Sequence, residues 1–425
     1  MIVDMPSLRL LLLGLLLVPL PWGTAHAGPI DDRAIPSWVD HWLQGQAMTG
    51  DWFGVRSTLT EWGVTPSITY VTDLQAIALG GLRKNSAYAG QLSVDLQFDL
   101  EKFVGAPGLT FDVSGNWTSG SDLSNSVGNV FDVAQAFDGT ELRLSTLFLR
   151  QMLFDRRLDI KAGRFATGND FLAGPTFVAL VNEALNPLMG VVQVNVPGVT
   201  TVPNATWGGR VIARATEGLS VAAGAFYSDP TLDLLTANGT EFGINTKNGY
   251  FVIARATYHH NQEEGATGLP GYYRVGGYYD SNRYTSFTDP DSQRRGNYGF
   301  FLTAEQMVFR EGGVPSKQGL SVYGSFVYAP RQRINTIPYF AAFALGYLGL
   351  LPRRDNDLAA FAMYYGAFSP YLPGQTYELA LEWTYALALT PWLTVQPDIQ
   401  YIIRPGGQSS VRNALVVGAQ LAIQF

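Results

Sequence analysis

The last segment of the chain alternates strictly between apolar residues and small or polar ones. Side chains on a β-strand point to opposite faces with a period of two. One face of this segment is therefore wholly apolar, and it ends on the C-terminal residue. Its members are Leu415, Val417, Ala419, Leu421, Ile423 and Phe425, which alternate with Ala414, Val416, Gly418, Gln420, Ala422 and Gln424. The alternation predicts that this segment is a β-strand with one face shielded from water.

Two preceding segments repeat the pattern. Residues 377–390 and 395–404 each carry apolar side chains on one face and polar ones on the other. Each is about as long as a tilted strand that crosses a bilayer, which takes ~9–11 residues. In another strand-like segment, over residues 91–101, Asp95, Asp99 and Glu101 share one face. Three carboxylates on one face cannot face lipid, so that face must be wet. Strands with one apolar and one polar face predict a transmembrane antiparallel β-barrel.

The N-terminus has the features of an export signal. Arg9 precedes the apolar run Leu10 to Leu20, which is too short to span a membrane as a helix, and Ala25-His26-Ala27 forms a small-x-small cleavage site. We therefore predict a signal peptide over residues 1–27. Residues 28–66 lack strict alternation and are predicted as a periplasmic helical segment, with an ordered tail as the alternative. Within it, Thr49-Gly50-Asp51 can cap a helix from Trp52 to Trp62.

Composition agrees with an exported barrel. The chain has no cysteine, which excludes a disulfide framework and thiol chemistry. Charged residues make up 15% of the chain, whereas a water-soluble chain usually carries about 25%. The net charge of −7 gives no reason to expect a nucleic acid as a partner. No spacing of Cys and His indicates a metal site, and no cofactor is expected.

Strand-like segments recur from residue 67 to residue 425 without a linker, which predicts one barrel domain. At roughly 22–25 residues for a strand and its connection, the chain holds about 16 strands, the porin size that leaves an aqueous channel. The segment from Arg210 to Tyr227 is strand-like throughout. Residues 119–140 are polar and are predicted as an external loop. Residues 166–207 lack alternation, and we expect them to fold inward and narrow the lumen, with a surface loop as the alternative.

Several segments resemble the OprB family of carbohydrate-selective porins. Residues 49–56, TGDWFGVR, are similar to that family's TGDWGGxR opening, with Phe53 in place of a glycine. Residues 90–96 with 100–102, residues 158–164 with 169–171, residues 349–357 and residues 396–407 also look like family segments. The resemblance implies a 16-stranded barrel in the outer membrane of a Gram-negative bacterium. It also implies facilitated diffusion of sugars such as glucose through a pore that loops constrict.

A sugar-selective pore needs polar groups that match hydroxyls and that bind weakly enough to release the sugar. Geometry alone suggests which residues supply them: lumen-facing strand positions and polar positions at or near the proposed inward loop. The candidates for substrate binding at the constriction are Arg164, Asp170, Glu183, Asp95, Glu382 and Arg404. The predicted lumen faces carry more Asp and Glu than Arg and Lys, so we expect at most a weak cation preference.

Three other functions stay open at this point. The first is a general porin, or one for another solute, without sugar selectivity. The second is an outer-membrane enzyme of the lipase kind, which needs a Ser/His pair facing lipid; His259 and His260 are its only plausible bases. The third is an exported soluble lectin. We favour a non-enzymatic porin whose partners are small neutral sugars and outer-membrane lipid, and which could form a homotrimer.

Overall fold

Sixteen antiparallel strands form a closed barrel in the computed structural model, which describes residues 42–136, 140–176, 180–186, 188–232, 238–263 and 265–425. Each strand pairs with its neighbours in sequence, and the first pairs with the last. The strands are β1 Val64–Gly81, β2 Ser86–Asp99, β3 Leu109–Gly120, β4 Glu141–Leu153, β5 Leu158–Phe165, β6 Thr206–Arg214, β7 Leu219–Ser228, β8 Gly249–His260, β9 Gly271–Ser286, β10 Asp289–Arg310, β11 Gly319–Tyr328, β12 Tyr339–Leu348, β13 Leu358–Ala367, β14 Tyr377–Thr390, β15 Leu393–Ile403 and β16 Arg412–Gln424. The predicted 16-stranded barrel is confirmed.

The segment predicted to be strand-like from Arg210 to Tyr227 is two strands rather than one. Strand β6 ends at Arg214 and β7 begins at Leu219, so a four-residue turn divides the segment. Both strands are rich in Gly and Ala, and the four turn residues between them, Ala215 to Gly218, are of similar composition and include only one glycine. The sequence therefore gave a weak signal for the break.

The C-terminal segment closes the barrel, as its alternation requires. β16 pairs with β1 in a register that sets Tyr70 opposite Ile423 and Asp73 opposite Gln420. Ala414 and Val416 are buried inside the barrel, while Val417 is exposed on the outer wall. The outer wall is therefore apolar where lipid would contact it, because the period of two sends alternate side chains to the two faces.

One end of the barrel carries short turns, such as residues 154–157 and 391–392, and it also holds the N-terminal helix. Short turns mark the periplasmic end of an outer-membrane barrel. A 3₁₀ turn over Trp52–Gly54 leads into helix α1, Val55–Glu61. The Asp51 carboxylate accepts the backbone N–H of Ser57 in the first turn of α1 at 2.8 Å, but the N-cap residue of α1 is Gly54, so the helix begins three residues after the predicted Trp52. Arg56 donates to the Phe425 carbonyl at 2.7 Å and ties α1 to the C-terminus.

The remaining short helices lie in connections between strands. They are α2 Leu100–Val104, α3 Ser124–Val127, α4 Val191–Asn195 and a 3₁₀ turn over Pro405–Gly407. In the part of the chain that the structure describes, no helix is long and apolar enough to cross a membrane. The predicted signal peptide, residues 1–27, lies outside the described residues, and the domain boundaries stay predictions.

Candidate pore constriction

Two connections at the extracellular end fold into the barrel. We call the described residues between 121 and 140 the first inward loop and the described residues between 166 and 205 the second inward loop. Both carry buried apolar side chains: Leu123, Val127, Phe131 and Val133 in the first, and Phe171, Leu172, Leu180, Leu185, Leu188, Val191, Val192, Val196 and Val199 in the second. These side chains form one core with buried side chains on the inner wall of most of the strands, β1, β5 and β7 to β16. The ring of Phe131, for example, packs edge-on against Phe340 with centroids 5.3 Å apart.

The inward fold of the second loop agrees with the expectation from its sequence. The first loop lies at the extracellular end, as the prediction of an external loop requires, but its sequence did not indicate that it folds inward. Its polar residues suggested exposure to solvent, yet its few apolar side chains pack against the barrel wall. Its polar backbone groups find acceptors and donors on the lumen faces of the strands. A loop can be buried when such partners form hydrogen bonds with its backbone N–H and C=O groups.

Glu378 of β14 anchors the first inward loop. Its carboxylate accepts the backbone N–H groups of Val130 at 3.0 Å and Phe131 at 3.2 Å. It also accepts the N–H of Gly406 at 2.6 Å, which joins the loop to the β15–β16 connection. The side-chain amide of Gln75 donates to the Val133 carbonyl at 2.7 Å. The loop is therefore fixed to both sides of the seam between the first and last strands.

Glu382, two residues further along β14, anchors the second inward loop. Its carboxylate accepts the N–H of Val181 at 2.6 Å and the hydroxyl of Tyr364. Asn182 of the same loop donates to Gln400 at 2.9 Å. Asn195 also accepts the N–H of Ile337, just before β12, at 3.0 Å. The second loop, which leaves the wall at the end of β5, is therefore held on the side of the barrel that β12 to β15 form.

A polar cavity of about 410 Å³ lies between the two inward loops. Its polar lining comes from both loops: Asp122, Asp132, Gln135, Glu183, Gln193 and Asn204. The loops touch here, since the N–H of Glu183 donates to the carbonyl of Asp132 at 2.9 Å. Burial and the nearby carboxylates of Glu183 and Asp122 raise the pKa of Asp132 well above its ordinary value. The cavity between the loops is thus acidic and rich in amides.

The inner wall of β4 to β6 carries a network of opposite charges. Asp159 pairs with Arg150 and with Arg210, each at 2.7 Å. Asp170 of the second inward loop pairs with Lys161 at 2.8 Å and with Arg210 at 3.3 Å. Burial by itself would raise the pKa of Asp170, but these two cations lower it below its ordinary value. The network ties the start of the second loop to the basic side of the lumen.

The structure brings only some of the predicted site residues together. Glu183 lines the cavity between the loops. Asp170 lies in the same loop but is held by Lys161 and Arg210. Glu382 faces the lumen as its strand position requires, yet it is completely buried under the second inward loop.

The other three predicted residues lie away from this cavity. Arg164 points to the opposite face of β5 from Lys161, where it donates to the carbonyls of Gly239 and Ala205. Asp95 accepts a hydrogen bond from Ser114 on the inner wall of β2 and β3 and is not among the cavity-lining residues. Arg404 has a left-handed backbone, which turns its guanidinium over the ring of Tyr377 at 4.6 Å.

Several residues of the candidate site were missed by reasoning from sequence. Asp132, Gln135, Gln193 and Asn204 lie in irregular segments, where no period tells which side chains point inward. Arg210 alternates with apolar neighbours on β6 and could have been found from the strand pattern. No group of three or more metal-ligating side chains occurs among the residues that the structure describes.

Comparison with known proteins decides the family. A family model described as the carbohydrate-selective porin, OprB family, matches residues 83–425. The chain belongs to the OprB family. It is 27% identical to Porin B of Pseudomonas aeruginosa over 89% of this chain and 91% of that protein. It is 23% identical to the putative porin QuiX of Acinetobacter baylyi over 91% of this chain and 95% of that protein.

Solved structures agree with this family. The high-pH structure of Pseudomonas putida OprB is similar with a TM-score of 0.83 and 26% identity, over 90% of this chain and 99% of that chain. The low-pH structure of the same protein gives a TM-score of 0.61 over the same shares. The predicted family, fold and outer-membrane location are confirmed. This OprB-family chain is a carbohydrate-selective porin, a channel rather than an enzyme.

Proposed function

We propose that this porin passes neutral monosaccharides such as glucose through the cavity between its two inward loops. The cavity carries the proposal, because its volume of about 410 Å³ suits a small ligand and its lining is polar. Carboxylates and side-chain amides offer paired acceptors and donors for neighbouring hydroxyls. We assign the main contacts to Asp132, Glu183, Gln193 and Asn204. Glu183 is the one residue of this set that the sequence also suggested.

Titration of sugars into single channels tests this function. We expect glucose to interrupt the ionic current of the purified porin in a planar bilayer, with a saturable dependence on concentration. Replacing Glu183 with glutamine should weaken this block, because the amide offers one acceptor where the carboxylate offers two. The matched control is Asp95→Asn, a lumen carboxylate outside the cavity, which should leave the block unchanged. Channels that conduct but ignore every sugar would instead indicate a general porin.

We also propose that transport is the only activity of the chain. One Ser/His pair resembles part of a hydrolytic site, since the Ser220 hydroxyl lies 2.8 Å from His259 Nε2 on the adjacent strand. The pair faces the lumen rather than lipid, and the charged groups that act on His259 are the cations Arg214, Arg255 and Arg274. A catalytic histidine needs an acid that orients it and stabilises its charged form, and these arginines oppose that charge.

Ester hydrolysis by the purified porin tests the absence of catalysis. We expect no hydrolysis of short or long acyl esters above the rate of the buffer, and the same background rate after His259→Ala. Activity that disappears with this substitution would establish the pair as catalytic. The proposed contact of the outer wall with outer-membrane lipid, and the proposed homotrimer, stay predictions. The mass of the detergent-solubilised particle measures the second of them.

A further inference from the structure

Two arginines on the inner wall of β8 and β9 form no ion pair with any described carboxylate. The Nη1 atom of Arg255 donates to the Phe171 carbonyl at 3.3 Å, and its Nε has no hydrogen-bond partner. Arg274 is only 8% exposed, and its Nη1 also lacks a partner. The Arg274 guanidinium lies over the ring of Tyr272, 5.2 Å from its centroid. Both side chains therefore hold unused donors and an unneutralised charge.

The carboxylates nearby are occupied by other groups. Asp170 is shared between Lys161 and Arg210, as described above. Glu305 of β10 accepts the N–H of Thr176 at 3.0 Å and the hydroxyl of the same residue, and so it holds the second inward loop. Arg255 thus lies close to a network in which three cations, Arg150, Lys161 and Arg210, share only two carboxylates.

A row of unpaired hydroxyl groups crosses the same wall. The strand register aligns Thr257 of β8, Arg274 of β9, Thr303 of β10 and Ser325 of β11. All four are buried, and each has a polar side-chain atom without a hydrogen-bond partner. Tyr323, two residues from Ser325 on the same face of β11, adds a buried hydroxyl of the same kind. Unpaired polar atoms of this kind are thus concentrated on four adjacent strands.

Such a concentration is costly unless another molecule supplies the missing partners. A buried hydroxyl without a hydrogen bond costs free energy, and a buried charge without a counter-charge costs more. Hydroxyl groups of a ligand can pair with Thr257, Thr303 and Ser325. They cannot neutralise two guanidinium groups, which match a carboxylate or phosphate through paired N–H donors.

We infer that the inner wall of β8 to β11 binds sugars that carry an acid group, with Arg255 and Arg274 on the acid and the hydroxyl row on the sugar hydroxyls. This inference rests on the proposed sugar pathway and adds a second substrate class to it. Neutral sugars would pass the same wall with weaker contacts. We call these residues the arginine–hydroxyl wall.

Current block by matched sugars tests the inference. Gluconate, glucose 6-phosphate, glucose and acetate are each titrated against the single-channel current of the full-length porin. Gluconate shares its hydroxyls with glucose and its carboxylate with acetate. We expect gluconate to reach half-maximal block at a concentration at least about tenfold below that of glucose, because charge-assisted hydrogen bonds are roughly twice as strong as neutral ones. Glucose 6-phosphate distinguishes a preference for phosphate from one for carboxylate.

Substitutions locate the effect. Arg255→Gln and Arg274→Gln should each remove most of the advantage of gluconate over glucose. Arg274→Lys, which keeps the charge but not the paired donors, should retain part of it. The matched control is Arg310→Gln, because Arg310 donates to the carbonyls of Thr267 and Gly268 at the periplasmic turn. Thr303→Val replaces a hydroxyl that has no protein partner, so the barrel should fold normally while both sugars bind several-fold more weakly.

The outcomes separate this inference from the proposed function. The inference is wrong if glucose blocks the current and gluconate needs the same concentration for half-maximal block. It is also wrong if both arginine variants still bind gluconate more tightly than glucose. In either case the arginine–hydroxyl wall is merely hydrated. If neither sugar blocks the current, the inference and the sugar selectivity proposed for the cavity fail together. A gluconate advantage that both glutamine variants abolish and Arg310→Gln preserves would establish the site.

Discussion

Replacing Glu378 with alanine is expected to raise the single-channel conductance and to produce noisy, fluctuating openings. The buried carboxylate accepts three backbone N–H groups, from Val130, Phe131 and Gly406. Each buried hydrogen bond to a charged group contributes about 1.5–3 kcal/mol. Loss of even one shifts the equilibrium between the packed and released first inward loop by about tenfold, since 1.4 kcal/mol corresponds to a factor of ten.

Two further variants define this effect. Glu378→Gln keeps the size of the side chain and one acceptor, so its conductance should lie between those of the wild type and Glu378→Ala. Asp95→Ala removes a lumen carboxylate that holds neither inward loop, and it should leave the noise unchanged. Unchanged conductance and noise in Glu378→Ala would show that apolar packing alone holds the first inward loop in place.

Lowering the pH is expected to reduce the conductance through the titration of Asp132. Burial and the adjacent carboxylates of Glu183 and Asp122 raise the pKa of this residue. A group whose pKa is raised in the packed state stabilises that state when it is protonated. The contact between the loops is therefore strongest at low pH and weakens as the pH rises through the raised pKa of Asp132. Protonation also removes a negative charge that attracts cations into the cavity.

The variant Asp132→Asn should fix the channel in its low-pH behaviour. Its conductance should be low at every pH. The difference between acid and neutral pH that we expect for the wild type should be absent. Asp289→Asn changes an exposed carboxylate at the extracellular end of β10 and serves as the matched control. A variant that retains the full pH dependence would assign the titration to another group. Currents recorded across the acid range in symmetrical salt provide the measurement.

The sequence-based prediction of ion selectivity depends on which charged groups are accessible in the lumen. That prediction counted the carboxylates on predicted lumen faces. Glu378 and Glu382 do lie on the lumen face, but both are completely buried beneath the inward loops. The cations Arg255 and Arg274 lie on strands whose side chains were not assigned from sequence. The weak cation preference stays a prediction, which reversal potentials in a salt gradient would measure.

The alternation of residue types by itself determined the barrel. The strand predicted over residues 377–390 matches β14 residue for residue. The faces of β14 and β16 also follow directly, because a period of two assigns every side chain to lipid or to lumen. Helix α1 was predicted close to its observed position for a similar reason, since Asp51 makes its hydrogen bond to Ser57, only six residues away. These features are local, and local sequence encodes them.

Only the tertiary structure decided the constriction. The inward course of the first loop depends on Glu378 and Gln75, which lie about 250 and 60 positions away in sequence from their loop partners. The contact of Asp132 with Glu183 joins two irregular loops, where no period indicates the direction of a side chain. The side chain of Arg404 does not lie on the predicted lumen face, because the backbone of this one residue is left-handed. A strand repeats its geometry at every second residue, whereas a loop takes its course from distant partners that the alternation of residues does not identify.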